Sequence, residues 1–206
     1  MNHKIVPSFC GFDAVVIAGS AGSTDGLLQI LERLPAEFPA ALLINQHFTS
    51  PRLFYPFGGT SQIPVHLTIE QAPIIGGHAY IAPFNYEMIV THDYKVECSP
   101  LKLGYIPSGD ALFRSVAEIY GSRAIGVVLS GAGRDCSEGV IELKRRGAKV
   151  LVQEGAVSIG MPRAALATGC VDFALPIQSL ISALISLVMV EGVAEIFQVA
   201  LPSWAH

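Results

Sequence analysis

Ala14-Val15-Val16-Ile17-Ala18-Gly19 is an uncharged run rich in β-branched residues, bounded by Asp13 before it and by Ser20-Ala21-Gly22-Ser23 after it. It is short for a helix and lacks polar alternation, which fits a strand covered on both faces, as the strands of parallel sheets are. A helical pattern follows at once. Leu27, Leu28, Ile30, Leu31 and Leu34 repeat at helical spacing until Pro35, with Ser23 or Thr24 as the N-cap. Ser20 therefore stands on a tight strand-to-helix turn. In an open α/β sheet such a turn lies at the carboxyl edge, where ligands bind and a helix N-terminus stabilises developing negative charge.

The same alternation recurs along the chain. Ala40–Gln46 is a second uncharged strand that ends at His47, and its short connection from Pro35 predicts that it lies beside the first, with helix 24–34 as a right-handed crossover. Pro107-Ser108-Gly109-Asp110 opens a helix with Leu112, Phe113, Val116 and Tyr120 on one face and Gly121 as its C′ residue. Strand Ala124–Leu129 runs into Ser130-Gly131-Ala132-Gly133-Arg134-Asp135, then come helix 137–146 and strand Lys149–Gln153. A helix from Gly160-Met161-Pro162-Arg163, a strand at Asp172–Leu175 and an apolar helix from Pro176 to about Val190 complete the pattern. The expected fold is α/β: a doubly wound, mostly parallel sheet in a Rossmann-like three-layer α/β/α arrangement.

Between residues 48 and 78 prolines and glycines break the pattern, leaving a helical turn near Arg52–Phe57 and a strand at Val65–Thr68. Tyr80–Ala82, Tyr86–Thr91 and Tyr94–Glu97 are short alternating runs that predict an antiparallel hairpin or meander around 79–97, at an edge of the sheet. The expected division is a leader over 1–12, one folded domain over 13–190 and a C-terminal extension over 191–206.

Composition narrows the function. A hydrophobic share of 51% in 206 residues supplies one large core. Thirteen basic against seventeen acidic side chains, with no long run of either sign, exclude a phosphate-backbone footprint, so nucleic acid is not an expected partner. Cys10, Cys98, Cys136 and Cys170 are far apart and form no C-x-x-C pair, which argues for free thiols in a reducing cytoplasm over a zinc site or a disulfide framework. Pro7, Gly11 and Asp13 interrupt the apolar stretch that a secretory signal needs. Leu180–Val190, the longest apolar stretch, stops at Glu191, well short of a bilayer span. No pattern calls for a metal or an organic cofactor, and none reports on oligomeric state.

The turn at Ser20 has three possible uses. Gly19, Gly22 and Gly26 have the wrong intervals for a dinucleotide fingerprint, and no lysine is present for a phosphate loop. Ala18-Gly19-Ser20-Ala21-Gly22 is small-x-Ser-x-Gly, one methyl away from a nucleophile elbow. A serine needs an imidazole to take its proton, and the imidazole needs a carboxylate to fix its tautomer. His47 and Asp135 stand at the carboxyl ends of two further strands, so all three groups of a triad are supplied. Each residue also has a plainer reading. Ser20 fits a helix-entry loop, His47 fits a surface strand end, and Asp135 with Glu138 three residues on fits a capping box.

Six ordered motifs add a resemblance. Val15–Gly22, Leu42–His47, Gly77-His78-Ala79-Tyr80-Ile81-Ala82-Pro83, Pro107–Phe113, Gly126–Asp135 and Gly160–Ala165 together resemble the catalytic domain of the chemotaxis receptor methylesterases, the CheB family, over about residues 13–188. The resemblance implies hydrolysis of glutamyl methyl esters on methyl-accepting chemotaxis receptors, with release of methanol, and in some members deamidation of receptor glutamines. It implies Ser20 as nucleophile, His47 as general base and then acid, and Asp135 as the orienting carboxylate, without a cofactor. Backbone N–H groups near Ala21 and in the loop at Ala132 and Gly133 are expected to hold the oxyanion.

The chain departs from the family pattern around the cleft. Ser23 follows Gly22 where a second glycine is usual, Ala132 replaces a methionine, Cys136 a glycine and Ile106 an arginine, and Gly109 precedes the motif's Asp110. The loop before Gly160 is one residue shorter. About a dozen residues precede the first strand, so the expectation is a chain without the receiver domain that regulates many relatives. Two other functions stay open at this level: a non-catalytic relative that binds the receptor or its methyltransferase, and a serine esterase for another small ester.

Overall fold

The computed structural model describes residues 11–47, 59, 61–68, 70–102, 106–193 and 202–203. The expected helical turn near Arg52–Phe57 and most of the expected leader and C-terminal extension lie outside the described residues.

The uncharged runs form the middle of a seven-stranded sheet. β1 (Ala14–Gly19), β2 (Ala41–Gln46) and β8 (Ala124–Val128) are buried along their whole length. β3 (Val65–Leu67), β5 (Ala79–Ile81), β9 (Lys149–Gln153) and β10 (Phe173–Leu175) extend the sheet, whose order is β10-β9-β8-β1-β2-β5-β3. Every pairing in it is parallel.

The period of two along each strand divides the core between the two faces. Val15 and Ile17 of β1 pack with Leu27, Ile30 and Leu31 of α1 (Thr24–Arg33) and with Leu180 and Leu184 of α5 (Ile177–Met189). Ala14, Val16 and Ala18 pack on the opposite face. Their partners are Leu112 and Phe113 of α2 (Gly109–Tyr120), Val140 and Leu143 of α3 (Ser137–Arg145), and Met161 and Ala165 of α4 (Gly160–Ala167). The result is the expected doubly wound, three-layer arrangement.

The antiparallel element differs from the sequence reading in one strand. β6 (Tyr86–Val90) and β7 (Lys95–Pro100) form the hairpin, but their third partner is β4 (Ala72–Pro73), in a separate sheet ordered β4-β7-β6. Ala79–Ile81 instead joins the main sheet, in register with Leu42–Ile44 of β2. Buried Met88, Val90 and Val96 dock the small sheet onto the α2 face of the core.

This topology positions the site. The chain leaves β1 through α1 to β2 on one side, and returns later to β8 on the other, so β1 lies at the point where the strand order reverses. Ligands of doubly wound sheets bind beyond the carboxyl ends of such strands.

Candidate active site

Ser20 is the first residue beyond β1, and its N–H donates to the Ser130 carbonyl at the end of β8 over 2.9 Å. His47 is the first residue beyond β2, and its N–H donates to the Gly19 carbonyl over 2.9 Å. Gly19 pairs with Gln46, so continuing the register by one residue puts Ser20 beside His47. Alternation continues Ala18 to Ser20, on the α2 side of the sheet, and Leu43 through Asn45 to His47, on the same side. Neighbouring strands are about 4.8 Å apart, so the two side chains spring from adjacent positions on one face.

Asp135 comes to this face from the loop after β8. Its Oδ2 lies 3.2 Å from His47 Nε2, with the two side chains 21% and 14% exposed. The separation is that of a hydrogen bond, but the ring N–H direction misses good alignment, so Nε2 has no fully formed bond. Nδ1 is the ring nitrogen that Asp135 does not approach. Among the described residues Ser20 Oγ makes no hydrogen bond to His47, and such bonds are commonly long in unliganded sites.

The carboxylate itself is held by α2. Gly109 N–H donates to Oδ2 over 2.7 Å and Asp110 N–H to Oδ1 over 3.2 Å, so the anion sits on a helix N-terminus. Burial pushes the Asp135 carboxyl up, but the His47 ring and the two N–H groups together outweigh it, and the group lies below the ordinary carboxylate range. Asp110, three residues from the start of the same motif, goes the other way: burial raises it, despite a 2.6 Å bond from Gly139 N–H.

The capping-box reading of Asp135 is therefore not the observed one. The N-cap of α3 is Cys136, with φ of 73° and no side-chain cap, and the Asp135 side chain turns away from its own helix to cap α2. Two of the departures from the family pattern explain each other here. A Cβ on Gly109 would lie 2.2 Å from Cys136 Sγ and 2.7 Å from Asp135 Oδ2. A side chain at 109 and a thiol at 136 exclude one another, so Cys136 occupies the space that glycine at 109 leaves. Its thiol is fully buried, and burial holds it well above the usual thiol range.

The loop that carries the third group packs closely against the first. A Cβ on Gly131 would lie 2.1 Å from Met161 Sδ and 3.1 Å from Ser20 Cβ, so a side chain there would require the Met161 side chain to move. Ala21 follows Ser20 directly, and Ala132 follows Gly131 in the loop after β8. Among the described residues neither N–H donates to another backbone group, and both are free for a ligand oxygen. Gly133, with φ of 84°, lies against Gly160 at the start of α4.

One supporting residue, Ser130, lies within the Gly126–Asp135 motif, but the pattern gives it no role of its own. Ser130 Oγ donates to the Ala21 carbonyl over 2.7 Å and accepts from Ser158 N–H over 2.9 Å, tying the serine turn to the loop before α4. Its own N–H donates to Gln153 Oε1 over 2.9 Å. A polar residue directly following a buried apolar strand was the one available clue. Among the described residues no group of three or more His, Cys, Asp and Glu side chains is arranged to hold a metal ion.

Comparisons with known proteins show what the chain as a whole is similar to. Residues 15–184 match the family model described as CheB methylesterase. A protein-glutamate methylesterase/protein-glutamine glutaminase of Pyrococcus abyssi is 34% identical over 188 residues, covering 86% of this chain and 51% of the relative. A relative of the same description from Geobacter metallireducens is 38% identical over 184 residues, covering 85% of this chain and 53% of its own. The chain thus spans about half the length of the curated relatives it matches. The crystal structure of the Thermotoga maritima CheB methylesterase catalytic domain superposes with a TM-score of 0.78 at 29% identity, covering 86% of this chain and 99% of that one.

Proposed function

Because the chain belongs to the CheB methylesterase family, we propose that it is a serine hydrolase that removes methyl groups from glutamyl γ-methyl esters of methyl-accepting chemotaxis receptors. Deamidation of receptor glutamines is the same chemistry with ammonia in place of methanol as the leaving group. In this reading Ser20 Oγ attacks the ester carbonyl while His47 Nδ1 takes its proton. Asp135 stabilises the resulting imidazolium through Nε2. The oxyanion is held by the N–H groups of Ala21 and of the Ala132-Gly133 loop, each such donor contributing on the order of 10²-fold to the rate. The imidazolium returns its proton to the departing methoxide, methanol leaves, and a water activated by the same nitrogen hydrolyses the acyl-enzyme. Serine and imidazole end as they began.

The observation that carries the reading is the 3.2 Å approach of Asp135 to His47 on the face from which Ser20 also projects. The proposed compartment is the cytoplasm, a reading supported by the free thiols of Cys98, Cys136 and Cys170. Methanol release from a methylated receptor fragment tests the function: the full chain is expected to release it and Ser20→Ala is not. Equal release by both would remove Ser20 from the mechanism.

A further inference from the structure

Ser23 stands at the N-cap of α1, where a serine ordinarily turns its hydroxyl to the N–H groups of the first helical turn. It does not do so. Its φ of −88° and ψ of −15° are helical, and its side chain makes no capping bond. Fully buried, the hydroxyl points back along the chain: Oγ lies 2.6 Å from the Ser20 carbonyl oxygen and 2.7 Å from Gln46 Oε1. Gln46 Nε2 reaches the same Ser20 carbonyl over 3.2 Å, and Ser23 N–H donates to it over 3.1 Å. Whichever way the Gln46 amide is turned, the Ser20 carbonyl remains the nearest acceptor for the Ser23 proton.

The Ser23 N–H, the Gln46 amide and the single Ser23 Oγ proton, on which Gln46 Oε1 also draws, thus all lie within hydrogen-bonding reach of one carbonyl. The N–H of the same residue is already taken by Ser130, so the main chain of Ser20 is fixed on both sides. Packing reinforces this. A Cβ on Gly19 would lie 2.7 Å from Ser23 Cβ and 2.9 Å from Gln46 Oε1, which closes the turn tightly over the strand end. With its peptide planes held, Ser20 retains only rotation about its Cα–Cβ bond.

We propose that Ser23 is a positioning residue for Ser20: it gives up helix capping to brace the nucleophile's carbonyl, and so fixes the direction from which Oγ attacks. The proposal rests on the esterase reading above, in which Ser20 is the nucleophile. Misplacement of a reacting atom by about 1 Å costs on the order of 10²-fold in rate. Loss of one of three braces allows a fraction of that, and the expected loss is about tenfold in kcat with KM unchanged.

The test compares Ser23→Ala and Ser23→Gly with the unaltered chain. Both lack the hydroxyl, and only the first keeps the Cβ that packs on Gly19. The readouts are kcat and KM for demethylation of a methylated receptor fragment, the second-order rate of Ser20 labelling by a fluorophosphonate, and the melting temperature. Both variants are expected to be labelled about tenfold more slowly, to keep KM, and to melt within a few degrees of the unaltered chain. A Ser23→Ala variant with undiminished labelling and kcat overturns the proposal, as does a loss found in KM alone or one shown only by Ser23→Gly. An unaltered chain that is neither labelled at Ser20 nor releases methanol refutes the esterase reading and removes the nucleophile to be positioned. A chain that does both while Ser23→Ala matches it refutes the positioning role alone.

Discussion

Replacing Asp135 by asparagine separates the two things a carboxylate does for a histidine. Asparagine offers one oxygen, and the structure decides where it goes. Oδ2 accepts the 2.7 Å bond from Gly109 N–H and also faces His47 Nε2, whereas Oδ1 accepts only the 3.2 Å bond from Asp110 N–H. An amide oxygen at the Oδ2 position keeps the shorter bond and still accepts from Nε2–H, so the imidazole keeps the tautomer that leaves Nδ1 basic. What is lost is the negative charge. A unit charge at 3.2 Å from the ring contributes about 5 kcal/mol at an effective dielectric of about 20. Both side chains are partly exposed, and solvent screening reduces this to about 3 kcal/mol, a loss of roughly 10²-fold in kcat. That is milder than the loss of about 10⁴-fold seen where asparagine imposes the wrong tautomer. Steady-state demethylation by Asp135→Asn measures it. An unchanged kcat would show that Asp135 takes no part in charging the ring, and a loss near 10⁴-fold would show that the amide nitrogen, not the oxygen, faces His47.

The same substitution has a stability signature of known sign. Asp135 is held below the ordinary carboxylate range, so its contribution is fully present above the unfolded value of about 3.9 and is lost as pH falls through the lower folded value. Urea denaturation is expected to find Asp135→Asn less stable by about 1–2 kcal/mol at pH 7, from the lost helix-terminal anion and the orphaned Asp110 N–H. The difference should shrink below about pH 4 as the unaltered carboxylate is protonated.

His47→Ala is expected to lower turnover by several orders of magnitude while costing about 1 kcal/mol of stability, because the ring stands beyond the strand and outside the apolar core; activity equal to the unaltered chain would dismiss it as the base. Gly109→Ala drives a Cβ into Cys136 Sγ and is expected to cost about 1–3 kcal/mol. Adding Cys136→Gly should restore part of it, with a coupling of about 1 kcal/mol or more in a double-mutant cycle by urea denaturation, and strict additivity would contradict the shared space. Lys144→Ala strands the fully buried Asp172 carboxylate, which it approaches to 2.5 Å. The expected cost is about 3 kcal/mol, at the low end for breaking a buried pair because Lys149 stands 3.9 Å from the same oxygen.

The strands at the centre of the sheet were legible because they are buried on both faces, and that leaves a continuous apolar run: Ala14–Gly19, Ala41–Gln46 and Ala124–Val128 differ from the sequence reading by a residue at most. The run Tyr80–Ala82, observed as Ala79–Ile81, was assigned to the right structure type and the wrong partner. Three residues followed by Pro83 look the same whether they pair with a neighbouring hairpin or with β2, and only the long-range contact with Leu42–Ile44 decides.

The site divides in a similar way. The residue types and their places at strand ends could be read from Ser20, His47 and Asp135. The company they keep could not: the spacing of Asp135 and Glu138 suits a capping box, and the N–H groups that win the carboxylate belong to a helix some 25 residues away in the chain. Ser23 is the same lesson on a smaller scale. Its sequence position is that of an N-cap, and only the folded turn reveals that the Ser20 carbonyl and Gln46 compete for its hydroxyl.

The central claim is that Ser20 is a nucleophile activated by His47. Reaction of the full chain with a fluorophosphonate, followed by peptide mapping by mass spectrometry, tests it most directly. One adduct is predicted, on the peptide that contains Ser20, and it should be absent from a folded His47→Ala variant treated in parallel. An adduct on a different side chain, or equal modification of Ser20 without the imidazole, would contradict it.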